Sequence, residues 1–264
     1  MKWARAISDD GKEIFLTQIN SEFYKLNIDP ICGEFTITSE KVNPIKWLPP
    51  IEPTAIICIG FNYKSHAEET NKPIPKYPVV FMKNPSAITA HLEPIKIPKV
   101  CSDEVDYEGE LVIIIGKDAK NITPNRVFEY ISGFTIGNDV SARIWQTEKG
   151  GGQWVRAKSF DTFAPIGPFV LPIDDYLENP TSFTITTKLN DKQVQQGSTK
   201  DLIFGIPELI AFLSEDTTLK RNTIIFTGTP SGVGWSRTPK LTLKPGDTVT
   251  IEINKIGTLI NPVK

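Results

Sequence analysis

The sequence is short of the residues that build zinc centres and disulfide frameworks. It has only two histidines, and its three cysteines, Cys32, Cys58 and Cys101, lie far apart and form no C-x-x-C pair. An odd number of scattered cysteines is typical of free thiols in a reducing compartment. Because Cys58 lies in the apolar run 56–59, we expect it to be a small core residue.

The sequence also lacks long apolar runs and any excess of basic charge. No run approaches the ~20 apolar residues that a helix needs to cross a bilayer, and the first ten residues resemble neither a secretory signal nor a transit peptide. Acidic residues number 31 and basic residues 29, with no clustered basic stripe. We therefore expect a cytoplasmic protein, with mitochondria as the less favoured compartment, that binds neither nucleic acid nor a membrane.

Proline and glycine are frequent, at 21 and 18 of 264 residues, so the sequence predicts many turns and few long helices. Short strand-like runs outnumber helical patterns, which favours an α+β fold that is mainly β, with a mixed β-sheet forming a roll or barrel. The proline-rich segment 49–53 is typical of a stiff linker. We expect a small N-terminal β domain at residues 1–52 and the main domain at residues 53–264, where Pro207 begins a helix.

The densest group of carboxylates surrounds a predicted buried strand. Glu108 and Glu110 flank a glycine just before the apolar run 111–115, and Asp139 follows later. Side chains alternate along a strand, so the two glutamates point the same way and need a cation, a shared proton or open water. With Asp139 they would offer three oxygen donors, which suit Mg²⁺, Mn²⁺ or Ca²⁺. The alternative is an exposed acidic strand end.

The two histidines have different surroundings in the sequence. His66 precedes Glu69 by three residues on a short predicted helix capped by Asn62, so their side chains share a helix face. A carboxylate beside an imidazole orients the ring and strengthens it as a base. An ordinary surface ion pair is the alternative. His91 has no partner nearby in the sequence, and we expect it in a surface loop.

Two further segments could contact a substrate. Lys158 lies near the glycine run 150–152, and a lysine beside a bound substrate can stabilise developing negative charge. A solvated lysine is the alternative. Residues 227–234 follow a predicted strand and are rich in glycine and hydroxyl side chains, which can grip a carboxylate. This segment has neither the P-loop ending nor the spacing of a dinucleotide fingerprint, and a tight surface turn explains it equally well.

Taken together, these segments resemble the fumarylacetoacetate hydrolase family over residues 55–263. The resemblance rests on several motifs in one order, and each motif alone is a weak signal. The motifs are G-F-N-Y at 60–63 with His66 and Glu69, P-V-V-F-M-K at 78–83, D-Y-E-G-E at 106–110, G-N-D-V-S-A-R at 137–143, K-S-F-D at 158–161, T-G-T-P at 227–230 and L-K-P-G-D at 243–247.

The resemblance implies a mixed β-sheet roll, a small N-terminal domain and a homodimer, with a 2-oxo or diketo acid as the substrate. It implies a hard divalent cofactor, Mg²⁺ or Mn²⁺. For individual residues it implies metal ligands at Glu108, Glu110 and Asp139, a catalytic His66–Glu69 dyad with Lys158, and substrate-facing positions at Arg143, Gln146, Thr229 and Gly228, with Lys158 among them.

The resemblance leaves the reaction open, because several reactions share an enolate stabilised by the cation. The first choice is hydrolysis of a carbon–carbon bond in an acylpyruvate or fumarylpyruvate. The alternative is tautomerisation or decarboxylation of oxaloacetate or a similar oxo acid, and a catalytically silent binding protein is the third reading. Phe61 stands where acylpyruvate-cleaving members often carry Arg, which removes a possible anion contact.

The segment 62–78 carries the proposed base and has few apolar anchors in its second half. We expect it to be mobile without ligand and to close over the substrate, because little buried area holds it down.

Overall fold

A computed structural model describes residues 1–31 and 33–264 of the protein, and the expected free thiol of Cys32 lies outside them. Within these ranges the chain forms β-strands, short α-helices and single turns of 3₁₀ or π helix. The strands are β1 (Trp3–Ser8), β2 (Glu13–Ile19), β3 (Glu22–Leu26), β4 (Ile37–Lys41), β5 (Pro44–Leu48), β6 (Ile56–Gly60), β7 (Val79–Lys83), β8 (Ile88–Thr89), β9 (Val105–Asp106), β10 (Gly109–Ile115), β11 (Ile131–Asn138), β12 (Ser141–Ala142), β13 (Ala164–Pro165), β14 (Phe169–Pro172), β15 (Thr184–Leu189), β16 (Lys192–Ser198), β17 (Ile224–Phe226), β18 (Thr248–Ile253) and β19 (Gly257–Pro262).

The α-helices are α1 (Lys64–Glu69), α2 (Val155–Lys158), α3 (Ile173–Glu178) and α4 (Ile206–Ser214). The 3₁₀ helices are Pro85–Ala87, Lys99–Cys101, Pro124–Glu129, Thr199–Asp201 and Gly234–Ser236, and a π helix spans Trp145–Lys149.

One large mixed sheet organises the fold. In the described part of the chain it has 11 strands in the order β4-β3-β2-β1-β14-β11-β10-β17-β6-β7, with β5 attached to β1. Neighbours along this path run antiparallel, except β17 and β6, which run parallel. The expected α+β, mainly β class is confirmed. Since β4 and β7 are not paired with each other in the described part, the sheet is open and no closed barrel forms.

Strand β10 lies at the centre of the core, and all of its residues are buried. Its apolar run fills both faces of the sheet, as in strands covered on two sides. Strand β11 pairs along one edge, with Glu110 opposite Gly137, and β17 pairs along the other, with Val112 opposite Phe226. The start of β10 therefore lies beside the end of β11, which is where the carboxylates of the predicted site meet.

A second sheet, ordered β16-β15-β18-β19, packs across β10 and β11. It approaches closely at Gly109: a Cβ there would collide with Thr187 Oγ1 and lie 3.3 Å from Cγ2 of Ile251. Glycine between the two glutamates therefore lets the sheets meet at this point. The β15–β16 hairpin turns at Asn190 and Asp191, both at positive φ, as expected for a tight hairpin turn.

The N-terminal strands continue the main sheet. Strand β1 pairs with β14, with Trp3 opposite Val170. On their other side β1–β5 enclose a small core of their own, made by Ala4, Ala6, Ile14, Leu16 and Val42. The division into two domains at residues 52 and 53 stays a prediction.

Three local expectations have clear outcomes. Cys58 is fully buried on β6, as expected, and both Cys58 and Cys101 are free thiols. Helix α4 begins at Ile206, one residue before the expected Pro207. The expected cap at Asn62 is wrong: α1 starts after Tyr63 and has no side-chain cap. The Asn62 side chain instead donates to the carbonyl oxygen of Thr227 at 2.8 Å, which ties the start of α1 to the loop after β17.

Candidate active site

Three buried carboxylates meet at the junction of β10 and β11. Glu108 precedes β10, Glu110 lies on it, and Asp139 follows β11, where its backbone N–H donates to the carbonyl oxygen of Glu108 at 2.9 Å. One oxygen from each side chain lies within 4.8 Å of the others. All three are almost fully buried, so the alternative of an exposed acidic strand end is excluded. The strand register, set by apolar residues farther along, brings these groups together.

Three buried cationic side chains surround the carboxylates. Lys158 Nζ lies 2.8 Å from Oε2 of Glu108 and 2.8 Å from Oδ2 of Asp139. Arg143 contacts Oε1 of Glu108 at 2.7 Å. Lys83 donates to Oδ1 of Asp139. Lys158 is therefore no solvated surface lysine, and Glu108 and Asp139 each have charged partners on both carboxylate oxygens.

Glu110 is the exception in this cluster. Its Oε2 accepts the backbone N–H of Gly228 at 2.7 Å, and no cationic side chain among the described residues pairs with it. Burial, together with the nearby Asp139 and Glu108, raises the pKa of Glu110 well above its usual value. Burial also opposes ionisation of Glu108, but Lys158 and Arg143 hold its pKa below the usual value.

A hard divalent ion fits this donor set. The three side chains offer only oxygen atoms, which Mg²⁺ and Mn²⁺ prefer. Beside them lies an inner chamber of about 20 Å³, lined by Glu108, Glu110, Lys158 and Thr229. That volume has room for about one water molecule or ion. Glu110, which lacks a cationic partner, is the carboxylate whose charge an ion would neutralise. The identity of the metal stays a prediction.

His66 and Glu69 form a pair on α1. His66 Nδ1 lies 3.2 Å from Oε2 of Glu69, and Oε1 of Glu69 accepts the backbone N–H of Gly232 at 2.9 Å. Burial acts to raise the pKa of Glu69, but His66, Ser236 and the Gly232 amide lower it overall. His66 is 7% exposed, so an ordinary surface ion pair does not describe it. Its Nε2 has no hydrogen-bond partner among the described residues.

The segment expected to act as a lid divides into two parts. Tyr63 and Ala67 are fully buried, and Tyr63 bridges to Leu202, so α1 is an anchored wall of the site. Residues 71–74 are exposed, and Tyr77 is 70% exposed. The expectation of few apolar anchors therefore holds for the residues after α1. That the segment is mobile and closes over the substrate stays a prediction.

A second, outer chamber of about 470 Å³ adjoins the inner one. Phe61, His66 and Trp154 line both chambers. Trp154 packs edge to face on Phe61, with ring centroids 5.6 Å apart. The only groups of the outer chamber that carry a formal positive charge in the described residues are Arg143 and Lys72. The imidazole of His66 thus lies between a polar inner chamber and an outer chamber whose surface is mostly apolar.

The expected substrate-facing residues occupy different places. Arg143 and Gln146 line the outer chamber, joined by a hydrogen bond of 3.0 Å. Thr229 lines the inner chamber, where its hydroxyl donates to the Gly109 carbonyl oxygen at 3.0 Å. Gly228 holds Glu110 through its amide. Residues 227–230 are buried, so this segment is no surface turn. The catalytic and binding roles of these residues stay predictions.

Sequence reasoning gave no role to Asp106, which ties the inner site to the outer wall. Its Oδ2 accepts from Nε of Arg143 and from the backbone N–H of Trp235, each at 2.9 Å, and its Oδ1 accepts the N–H of Gly234 at 2.9 Å. The available signal was its position as the first residue of D-Y-E-G-E, two residues before Glu108 and so on the same side of an extended chain. Lys83, Trp154 and Trp235 were missed as well, because their neighbours come from distant segments.

The second histidine lies outside both chambers, in a turn as expected, but its ring is half-buried rather than solvent-exposed. His91 Nδ1 accepts the backbone N–H of Ile260 at 3.0 Å, and its ring packs edge to face on Trp47 with centroids 5.6 Å apart. Burial lowers the pKa of His91 to about 4. One partner comes from β5 and the other from β19, each more than forty residues away in the sequence, so no local pattern predicts them.

Three comparisons bear on this arrangement. Residues 55–264 match the family described as fumarylacetoacetate (FAA) hydrolase, C-terminal. The fumarylacetoacetate hydrolase domain-containing protein 2 homolog of Dictyostelium discoideum is 49% identical over 223 residues, which cover 81% of this chain and 73% of that protein. The mitochondrial oxaloacetate tautomerase fahd2 of Xenopus laevis is 44% identical over 220 residues, which cover 83% of this chain and 68% of that protein.

Among solved structures, 5-carboxymethyl-2-hydroxymuconate delta-isomerase from Mycobacterium smegmatis is 36% identical, with a TM-score of 0.84 over 100% of this chain and 99% of that one. The residues of both chambers lie inside the matched range 55–264. In residues 1–31 and 33–264, no helix has the length and apolar character needed to span a membrane.

Proposed function

The chain belongs to the fumarylacetoacetate hydrolase family, and we propose that it catalyses keto–enol tautomerisation of 2-oxo acids, with oxaloacetate as the first substrate to test. The observation that carries this choice is the cover on the base: the Phe61 ring stacks on His66 with centroids 5.9 Å apart and planes 17° apart. An apolar cover suits a proton shift, which needs no attacking water. The Xenopus relative is named an oxaloacetate tautomerase, which supports placing tautomerisation ahead of hydrolysis.

The carboxylates Glu108, Glu110 and Asp139 would hold Mg²⁺ or Mn²⁺. When bound, such an ion would polarise the keto group of the substrate and make the C–H bond beside it more acidic. Arg143 and Lys158 keep Glu108 ionised and fixed for this task. The proximity of the carboxylates and the size of the inner chamber support this cofactor assignment.

The chain's own groups then move the proton. His66 Nε2 removes the proton from C3 of the oxo acid, and Glu69 stabilises the imidazolium that forms. Lys158 Nζ lies beside the carboxylates, where its positive charge would stabilise the negative charge that develops on the keto oxygen. The keto oxygen then takes the proton, so one C–H bond breaks, one O–H bond forms and no water is consumed.

Hydrolysis of a carbon–carbon bond in a diketo acid is the second candidate. It is favoured by the size of the outer chamber, which at about 470 Å³ has room for a longer substrate than oxaloacetate. In this reaction the His66–Glu69 pair would activate a water molecule. Decarboxylation of oxaloacetate would use the same site, and a catalytically silent binding protein would show none of these activities.

One set of assays separates these reactions. Protein and Mg²⁺ are incubated with enol-oxaloacetate, acetylpyruvate and fumarylpyruvate, and the loss of enol absorbance, the release of CO₂ and the products of cleavage are followed separately. We expect rapid loss of the oxaloacetate enol without CO₂ and little cleavage of the diketo acids.

The matched variants are the two histidines of the chain. His66→Gln should slow tautomerisation by roughly 10²–10⁴-fold, whereas His91→Gln, outside both chambers, should keep the rate at pH 7. Full activity of His66→Gln would remove His66 as the base. Efficient cleavage of acetylpyruvate with slow tautomerisation would make the hydrolase the better assignment.

The oligomeric state and the cellular location stay predictions. A homodimer with a small-molecule substrate is the expected assembly, and sedimentation of the purified protein checks it. The cytoplasmic location has no support from the relatives, since the Xenopus protein is named as mitochondrial. We therefore propose mitochondria as the compartment to test first, by imaging the tagged full chain.

A further inference from the structure

We infer that the outer chamber selects 2-oxo acids that carry a planar apolar group, the arylpyruvate class, in preference to short dicarboxylates. This inference rests on the proposed tautomerisation for its chemistry, because an arylpyruvate has the same C3–H bond beside a keto group. The reacting end would lie at His66 and the carboxylates, and the aryl ring would lie in the outer chamber. The two chambers adjoin, since Phe61, His66 and Trp154 line both.

The wall of the outer chamber is suited to an aryl ring. Phe61, Trp154, Val233 and Trp235 contribute to a surface that is mostly apolar. The volume of about 470 Å³ falls in the range of pockets that enclose small organic ligands. Aromatic side chains favour planar ligands through stacked or edge-to-face contacts. A short dicarboxylate would leave this surface in contact with water.

The positive charges of the outer chamber are poorly placed to bind a second carboxylate. Arg143 is 6% exposed, and its guanidinium is paired with Asp106 at 2.8 Å and with Glu108 at 2.7 Å. Lys72, the other cation of the chamber in the described residues, is exposed to solvent. A second carboxylate in this chamber would lose hydration and gain, at best, an exposed ion pair, which stabilises little. An apolar substituent has no such cost.

The aromatic walls of the outer chamber are fixed in place. Asp106 holds the backbone N–H groups of Gly234 and Trp235, each at 2.9 Å. Trp154 fits against Gly60, where a Cβ would lie 2.5 Å from Cζ3 of the indole. A chamber whose walls are already ordered loses less freedom on binding, which favours affinity for a ligand of matching shape.

Binding tests the inference separately from turnover. The affinities of phenylpyruvate, pyruvate and oxaloacetate for the full chain in Mg²⁺ are measured by calorimetry. We expect phenylpyruvate to bind at least about tenfold more tightly than pyruvate, the size expected for a few aromatic contacts. Equal affinity for phenylpyruvate and pyruvate, or tighter binding of oxaloacetate than of phenylpyruvate, would overturn the inference.

Two tryptophan variants locate the preference. Trp235→Leu should lower the ratio of phenylpyruvate affinity to pyruvate affinity by about tenfold. Trp47→Leu, a partly buried tryptophan outside both chambers, should leave the ratio unchanged. An unchanged ratio in Trp235→Leu would contradict the inference. Tight, Trp235-dependent binding of phenylpyruvate without faster enol interconversion of any oxo acid would instead contradict the proposed tautomerisation and leave the aryl preference standing.

Discussion

Glu69 and Gly232 are joined by a hydrogen bond of 2.9 Å between a carboxylate oxygen and a backbone N–H. The same carboxylate orients His66 through its other oxygen. Gly232 precedes Val233 and Trp235, which form part of the outer wall. The proposed base and the proposed specificity wall are therefore held by one side chain, so a change at Glu69 affects both.

The carboxylate of Glu69 should set the tautomer of His66. Glu69→Gln keeps an oxygen for the Gly232 amide, but its NH₂ group would donate to His66 Nδ1 and favour the tautomer with a proton on Nε2. We expect the rate of enol-oxaloacetate interconversion to fall by roughly 10²–10⁴-fold with little change in the melting temperature. Glu68→Gln, an exposed neighbour on the same helix, is the control. Equal rates in the two variants would show that Glu69 does not act through His66.

The carboxylates should make the fold sensitive to divalent ions. A ligand that binds only the folded state raises its stability, so Mg²⁺ should raise the melting temperature of the protein. Glu110→Gln removes the carboxylate that lacks a cationic partner, and the increase should disappear. Calorimetric titration with Mg²⁺ checks the same point, with the exposed Asp161→Asn as the control. A Glu110→Gln variant that binds Mg²⁺ like the parent would exclude Glu110 as a ligand.

Gly60 should tolerate no side chain. A Cβ at this position would lie 2.5 Å from Cζ3 of Trp154 and 3.5 Å from Cγ1 of Val79. Gly60→Ala therefore has to move the indole, and overpacking of this kind costs about 1–3 kcal/mol of stability. Urea denaturation measures the cost. If the strain comes from the indole, Gly60→Ala combined with Trp154→Leu should recover most of the stability, whereas an unrelieved loss would point to the backbone.

His91 should make the protein less stable in mild acid. Its pKa is lowered from 6.5 to about 4 by burial, so the unfolded chain takes up a proton at a higher pH than the folded chain does. The stabilisation is complete above pH 6.5 and is lost as the pH falls toward 4, by on the order of 2–3 kcal/mol. Urea denaturation at pH 7 and pH 5 measures this loss.

The control for this effect is His91→Gln, which cannot take up the proton. It should be less stable than the parent at pH 7, because the contact with Trp47 is altered. Its stability should change less between pH 7 and pH 5. A pH dependence as steep as that of the parent would assign the acid sensitivity to other groups.

The shared face of Glu108 and Glu110 was predictable because its geometry is local, whereas Asp139 joins them only through the pairing of β10 with β11. Glu108 and Glu110 share a strand face, and the apolar run after them marks a central strand. Lys83 was not predictable as a partner of Asp139, because the two residues are 56 positions apart and meet only through the order of β7, β6, β17, β10 and β11. A lysine at the end of an apolar strand has the same local pattern whether it is buried or solvated.

Contacts between distant segments also explain why the surroundings of Asn62 and His91 differ from those expected. Asn62 has the residue type and position of a helix cap, and only the approach of Phe204 and Thr227 draws its side chain elsewhere. The ring of His91 is half-buried, and the Trp47 of β5 that packs against it is distant in the sequence. In both cases a contact between distant segments overrides a local preference, which a sequence pattern does not contain.

The pairing of β1 with β14 covers an edge of β14 that would otherwise be exposed. Strand β14 has β11 on one edge and β1 on the other, so a fragment that starts at residue 53 would expose the N–H and C=O groups along that edge. Unprotected edges of this kind invite pairing with other chains. We expect the fragment to self-associate and precipitate at concentrations where the full chain stays dispersed, as light scattering would show. The N-terminal strands would then be protection against aggregation, even though neither chamber contains any of their residues.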